Sequence, residues 1–401
     1  MDFSTIELDD DHLALQQAAR TFIREHRTEL REHEQRTGDG FNEKVHLALG
    51  ERGWIMPTWP RERGGAGLDE LGARILELEL ARAHVPWVTL GTTRLVVSAV
   101  ARHASDAIRN DVLTEVANGR TRFCLGYTEP DGGSDIAAAK TRAVRDGDEW
   151  VVNGSKIFTT GAHNCQYTFL ITRTDPDLPK HKGLTMFLMP LDSAGVELQP
   201  IRAFSGERTN VVYYDSVRIS DDYRLGDVNT GWSVLHGPLD EEHSIGDAGS
   251  GLDDLSVGTS FLRELHRGLE STVAWAAGTV RADGSRPADD PVVRYRIGKV
   301  AVELQAALVT PGPLGRVKGS ETTVTGSAEL LDILGPAGLV QYGEEGVVGE
   351  AEADFAHRYA QGTATYGGTV EVFRNIIAQH VLGLPRAVYP GSKFLAGRSN
   401  S

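Results

Sequence analysis

Little in this chain of 401 residues invites a disulfide, a thiolate metal cluster or a nucleic acid. Only two cysteines occur, Cys124 and Cys165, too few for a disulfide scaffold and in keeping with a reducing compartment. Basic residues are outnumbered, 41 against 56 acidic ones, for a formal charge of −15, which argues against a nucleic-acid partner. No run of about 18 apolar residues occurs, and the acidic start from Met1 to Asp11 has no following apolar region, so neither a membrane span nor secretion is expected and the cytoplasm is the expected location. The 13 histidines form no pair at metal-ligand spacing on a convincing helix. Gly246 to Gly251 is glycine-rich but lacks the preceding strand a dinucleotide loop requires, and reads as a loop.

What is present is a change of texture along the chain. Leu15, Ala18, Ala19, Phe22 and Ile23 recur with helical period, and Leu71, Ile75, Leu78 and Ala81 or Arg82 repeat it after the glycine-rich Arg63–Gly67 loop. From about Phe123 to Val228 short β-branched and aromatic runs replace that period: Trp150–Val152, Ile157–Thr160, Thr168–Arg173, Leu184–Met189, Val211–Tyr214 and Val217–Ile219. Asn153-Gly154 between the first two runs predicts a hairpin turn. Helical stretches return after Gly231, for example over Val292–Val309 and Thr369–Val381. The expected domains are 1–120, 121–229 and 230–388, with a frayed tail over 389–401.

One segment carries chemistry. Leu125-Gly126-Tyr127-Thr128-Glu129-Pro130-Asp131-Gly132-Gly133-Ser134-Asp135 sets hydroxyls and glycines on a loop leaving a strand, where backbone N–H groups can meet an acceptor-rich ligand. By itself it also reads as a long hairpin connection. With Asp146 to Thr160 and Tyr366-Gly367-Gly368-Thr369-Val370-Glu371-Val372-Phe373-Arg374-Asn375, it resembles the acyl-CoA dehydrogenase family of flavoenzymes. Gly53-Trp54, Gly64–Gly67 and Val381–Arg386 extend the resemblance over nearly the whole chain.

The resemblance implies a helical N-terminal domain, a central β-barrel domain and a C-terminal four-helix bundle, with FAD between the last two. It implies that Tyr127, Thr128, Gly133 and Ser134 line the flavin and the acyl-CoA, and that Phe158, where tryptophan is usual, and Thr160 lie against the ring. Phe158 also fits an inward strand residue. Arg281, Gly335 and Thr369 are the remaining expected cofactor contacts, with Arg286 an alternative to Arg281 for the pyrophosphate. The implied reaction converts an acyl-CoA thioester to a trans-2-enoyl-CoA, with electrons passed to an electron-transfer flavoprotein.

The implied catalytic pair is Glu242, as base, and the Gly367 N–H, as donor to the thioester oxygen. Many members place their glutamate where this chain has Gly367, whereas a minority place it in a segment resembling Leu239–His243. The competing reading of Glu242 is a solvated acidic run, Asp240-Glu241-Glu242. Asp283 stands where an aromatic is usual, and Pro336 interrupts the usual pair of glycines. These departures leave two assemblies open: a catalytic homo- or hetero-tetramer, or a non-catalytic half-site subunit that completes a partner's flavin pocket.

Overall fold

The computed structural model of the chain describes residues 7–37, 41–83, 85, 86, 88–236 and 257–385. The N-terminal part is helical: α1 (Asp10–Thr37), α2 (Glu43–Glu51), α3 (Glu70–Arg82), α4 (Val88–His103) and α5 (Asp106–Ala117). Side-chain caps start four of them, and at α1 Asp9 Oδ1 accepts from the His12 N–H at 2.9 Å. Asn42 Oδ1 accepts from the Val45 N–H, Asp69 Oδ1 from Gly72 and Ser105 Oγ from Ile108. In α1 the expected face holds in part: Ala19 and Phe22 are buried, Leu15 and Ile23 half-buried and Ala18 exposed, and Phe22 lies edge-on to Trp54 at 5.5 Å. In α3 the helix is where the spacing predicts it, but the buried face is Gly72, Ile75, Leu76, Glu79 and Leu80. A glutamate joins that face because Arg20 of α1 pairs with it at 2.8 Å. The glycine-rich loop is tight for a steric reason: a Cβ at Gly65 would lie 2.1 Å from the Trp59 carbonyl oxygen.

The centre is one sheet in the order β6-β7-β3-β2-β4-β5-β8, with β1 (Phe123–Gly126) parallel to β4 (Tyr167–Arg173). The other strands are β2 (Arg142–Asp146), β3 (Glu149–Lys156), β5 (Leu184–Pro190), β6 (Val196–Arg202), β7 (Arg208–Ser220) and β8 (Arg224–Leu225). This corrects the β-barrel expectation: β6 and β8 end the path without pairing to each other, so the sheet is open. The join between β2 and β4 is a single pair, Arg142 with Arg173, and β8 is only two residues long. A core runs across that join, with Trp150 edge-on to Phe187 at 5.4 Å and Cys124, Leu170, Met189 and Val212 wholly buried.

The expected hairpin at Asn153-Gly154 is also corrected. Those residues lie inside β3, where the register against β7 shifts between Val152 and Gly154. Asn153 Oδ1 accepts from the Ser216 N–H of β7 at 2.8 Å, so its amide ties two strands together rather than turning one back. The tight turn is Gly147, at φ 65°, between β2 and β3. The two runs expected at 211–214 and 217–219 are one strand, β7, and β6 carried no strong sequence signal.

The C-terminal part is helical: α6 (Val257–Gly278), α7 (Pro291–Leu308), α8 (Gly312–Leu334), α9 (Glu352–Thr363) and α10 (Val370–Ile376), the last running into a π turn at Ile377–Val381. Leu262, Leu265, Val300, Leu304, Leu330 and Leu334 form its core. Among the described residues no helix is long and apolar enough to cross a membrane, and no cluster of His, Cys, Asp and Glu fit to hold a metal ion is present.

Candidate functional site

The loop that leaves β1 is anchored by charge from below. Glu129 accepts from the backbone N–H groups of Lys140 and Thr141 at 2.7 and 2.8 Å and from Lys156 Nζ at 2.8 Å. Lys156, the last residue of β3, is wholly buried and also donates to the Tyr127 carbonyl at 3.4 Å. Burial pulls the Lys156 ammonium down to about 8 although Glu129 favours its charged form. Burial acts to raise the Glu129 carboxyl, but Lys156 and the Thr141 N–H outweigh it and hold the carboxyl below its ordinary value. Paired bonds between Glu129 and Gly132 then turn the chain, leaving Gly133 and Ser134 exposed.

The end of β3 comes to the same place. The Ile157 N–H donates to the Thr128 carbonyl at 2.9 Å, so the loop and the segment after β3 lie side by side. At Phe158 the backbone turns to φ 58°, which an L-residue adopts only at a cost, and its ring stands 61% exposed. The strand reading of Ile157–Thr160 therefore does not hold, and Phe158 points outward. Thr159 is wholly buried, and its hydroxyl has no hydrogen-bond partner among the described residues. Asn210 of β7 fixes the Thr159 backbone at both polar atoms, each at 3.0 Å, and Thr160 Oγ1 lies 3.2 Å from Thr209 Oγ1. An exposed aromatic face near the exposed Gly133 and Ser134 and a buried hydroxyl without a partner among the described residues suits a flat, acceptor-rich ring.

Tyr127, Thr128, Gly133, Ser134, Phe158 and Thr160 are thus brought together. The Tyr127 ring, however, faces the core, edge-on to Phe169 at 6.0 Å, and only its main chain borders the loop.

Gly367 and Thr369 sit in a turn before α10. Gly367 and Gly368 have φ of 56° and 90°, values that favour glycine at both positions. Thr369 caps α10 by accepting from the Val372 N–H at 3.2 Å. Arg316 of α8, 1% exposed, donates to the carbonyls of Thr363 and Gly368 at 2.9 Å each and to that of Tyr366. Its guanidinium lies over the rings of Phe261 and Phe373 at 4.8 and 5.2 Å. Arg358 of α9 reaches the Ser205 carbonyl of the β6–β7 turn at 2.9 Å, tying helices to sheet next to this turn. Burial, then the nearby Glu207 charge, pushes the Tyr366 phenol up to about 12, so it is neutral at ordinary pH.

Arg281 and Gly335 belong elsewhere in the helical part. Arg281 is exposed in a turn where Asp283 Oδ1 accepts from Ser285 N and Oγ at 2.9 and 2.7 Å. Gly335, at φ 57°, follows α8. Glu242 lies outside the described residues. The sequence reading missed Arg316, Asn210 and the Glu129–Lys156 pair. The one available signal was a glutamate inside the glycine-rich loop and a lysine at an inward position of β3.

The model of the acyl-CoA dehydrogenase N-terminal domain matches residues 9–120 and that of the acyl-CoA dehydrogenase middle domain residues 124–217. The acyl-CoA dehydrogenase IpdE1 of Mycobacterium tuberculosis is 31% identical over 354 residues, 84% of this chain and 86% of that protein. The acyl-CoA dehydrogenase FadE26 of the same organism is 29% identical over 376 residues, 87% of this chain and 89% of that protein. Among solved structures, the Tcur3481-Tcur3483 steroid ACAD superposes with a TM-score of 0.81 at 29% identity, over 96% of this chain and 100% of that one. The ChsE4-ChsE5 complex from Mycobacterium tuberculosis gives 0.81 at 27% identity, over the same shares. With the helical, sheet and helical parts in the same order and both domain models matched, the chain belongs to the acyl-CoA dehydrogenase family of oxidoreductases.

Proposed function

We propose that this protein is an FAD-dependent dehydrogenase that converts a bulky acyl-CoA thioester to its trans-2-enoyl-CoA. The observation that carries the reading is the junction of the Thr128 carbonyl with the Ile157 N–H, which sets exposed Phe158 and the Thr159 hydroxyl beside the open Gly133-Ser134 loop. The residues present fit the flavin end of FAD: an aromatic face is free, and a buried hydroxyl lacks a partner among the described residues. Thr128, Gly133, Ser134, Phe158 and Thr160 would hold that end, with Thr369 toward the rest, while Arg281 and Gly335, placed elsewhere in the helical part, would serve the FAD of a neighbouring copy. Bound FAD supplies an acceptor for the β-hydrogen with its electron pair, which no side chain offers.

The chain's own residues do the rest. An α-proton beside a thioester is too weakly acidic for a carboxylate unless the carbonyl oxygen is held as negative charge develops. The Gly367 N–H is the protein's donor to that oxygen, and its φ of 56° presents the amide without a side chain in the way. Glu242 is the base for the α-proton in this reading. The similarity to proteins described as a steroid ACAD supports a bulky acyl group. An electron-transfer flavoprotein is the expected acceptor.

A second reading, a half-site subunit in a heterotetramer, is favoured by Gly367 lacking a carboxylate and by Asp283 being engaged with Ser285 in its own turn. The FAD-to-polypeptide ratio of the chain purified alone separates the two. A ratio near one with turnover of a straight-chain, branched or steroid-side-chain acyl-CoA supports the first reading; a folded chain without flavin supports the second. In the first case Glu242→Gln abolishes turnover and keeps FAD, and near-normal activity in that variant rules Glu242 out as base.

A further inference from the structure

Arg316 is spent on backbone. The residue is 1% exposed, in the second turn of α8, and its Nη2 donates to three carbonyls of one short segment: Thr363, Tyr366 and Gly368. Nη1 is fixed by the Ser320 hydroxyl, which itself donates to the Thr363 carbonyl at 2.9 Å. The rings of Phe261 and Phe373 hold the guanidinium in place.

The Tyr366 carbonyl and the Gly367 N–H belong to the same peptide unit. A trans peptide is planar, with C=O and N–H pointing opposite ways. A group that grips the carbonyl from inside the protein therefore fixes the direction in which the N–H looks out. Gly367, at φ 56°, puts no Cβ beside that plane, so on its C-terminal side little besides the grip on the carbonyl restrains its rotation. A cationic donor on the carbonyl also withdraws electron density from the amide and makes its N–H a stronger donor.

We propose that Arg316 is a positioning residue that aims and polarises the Gly367 amide toward the thioester oxygen of the acyl-CoA. The inference rests on the reading of Gly367 as that oxygen's donor. Lysine at 316 keeps the charge but loses the planar fork that serves several carbonyls at once.

The test uses FAD-loaded enzyme and a 1-13C-labelled acyl-CoA, the best substrate of the screen above, read by infrared difference spectroscopy and by steady-state kinetics. In the unmodified enzyme the bound thioester carbonyl stretch lies below its value in water. In Arg316→Lys it moves back toward that value, and kcat falls about tenfold to a hundredfold, while KM, FAD content and Tm stay close to normal. An unchanged stretch and kcat in Arg316→Lys overturn the proposal and leave the Gly367 reading standing, as does a loss of FAD and Tm with the stretch unaltered. No lowering of the stretch in the unmodified enzyme overturns the Gly367 reading and the proposal together. Ser320→Ala, which removes one anchor of the guanidinium but not its charge, replaces Arg316→Lys if the latter yields no folded protein. It should shift the stretch in the same direction with a several-fold loss of kcat, and no change in either overturns the proposal.

Discussion

At the residue scale, Phe158 combines two costs: a large apolar ring in solvent and a backbone at φ 58°. A left-handed conformation at a non-glycine residue costs about 1–2 kcal/mol, and such strain gathers where a ligand contributes the compensation. Phe158→Gly is therefore expected to raise the Tm of the flavin-free chain by a degree or two while weakening FAD retention, read by thermal melts and by flavin absorbance after gel filtration. A lower Tm together with unaltered FAD retention would place the ring in the folding core and out of the cofactor site. The sequence marked Phe158 as notable but left open whether it faced inward, because the same alternation suits either face until the partner strand is known.

Secondary-structure elements depend on charges that sequence patterns treat as surface. Glu129 and Lys156 lie 27 residues apart and meet at 2.8 Å beneath the loop after β1, where they hold Lys140, Thr141 and Tyr127 by their backbones. Removing one partner of a buried pair leaves an uncompensated charge, a cost of about 3–5 kcal/mol. Lys156→Met should destabilise the chain by that order in urea titrations and raise hydrogen exchange across residues 127–141. A loss below about 1 kcal/mol would mean that the two backbone N–H groups alone secure Glu129. The hairpin wrongly expected at Asn153-Gly154 has the same origin: the local signal was real, but Ser216 of β7 captured the Asn153 side chain and made a bulge of it.

Across the whole molecule, helices and sheet share a core. Phe22, Trp54, Val97, Phe123, Phe169 and Leu188 are buried in a single cluster, so the N-terminal helices and the sheet stabilise each other. His46 of α2 lies near this seam, 4% exposed, with Arg122 and Arg94 nearby. Burial first, then those two cations, drives its imidazole down to about 3. The folded state thus binds fewer protons than the unfolded one between about pH 6.5 and 3, and stability falls with acidification by about 1.4 kcal/mol per pH unit in that window. His46→Leu should remove about one proton's worth of that slope between pH 6 and 4.5 in urea titrations. A slope equal to that of the unmodified chain would show that His46 takes no part in acid unfolding.

The order of helical, sheet and helical parts was legible in the residues, because hydrophobic period and turn composition act over neighbours a few positions apart. The tertiary structure alone decided that the sheet stays open, that Asn153 serves a bulge, that Phe158 faces out, and that Arg316 lies behind the Tyr366 carbonyl, 50 residues away in sequence. A buried polar group takes whichever partner the fold brings within hydrogen-bond reach, since leaving it unpaired costs more than almost any local preference. That choice depends on distant segments arriving together, which periodicity does not encode.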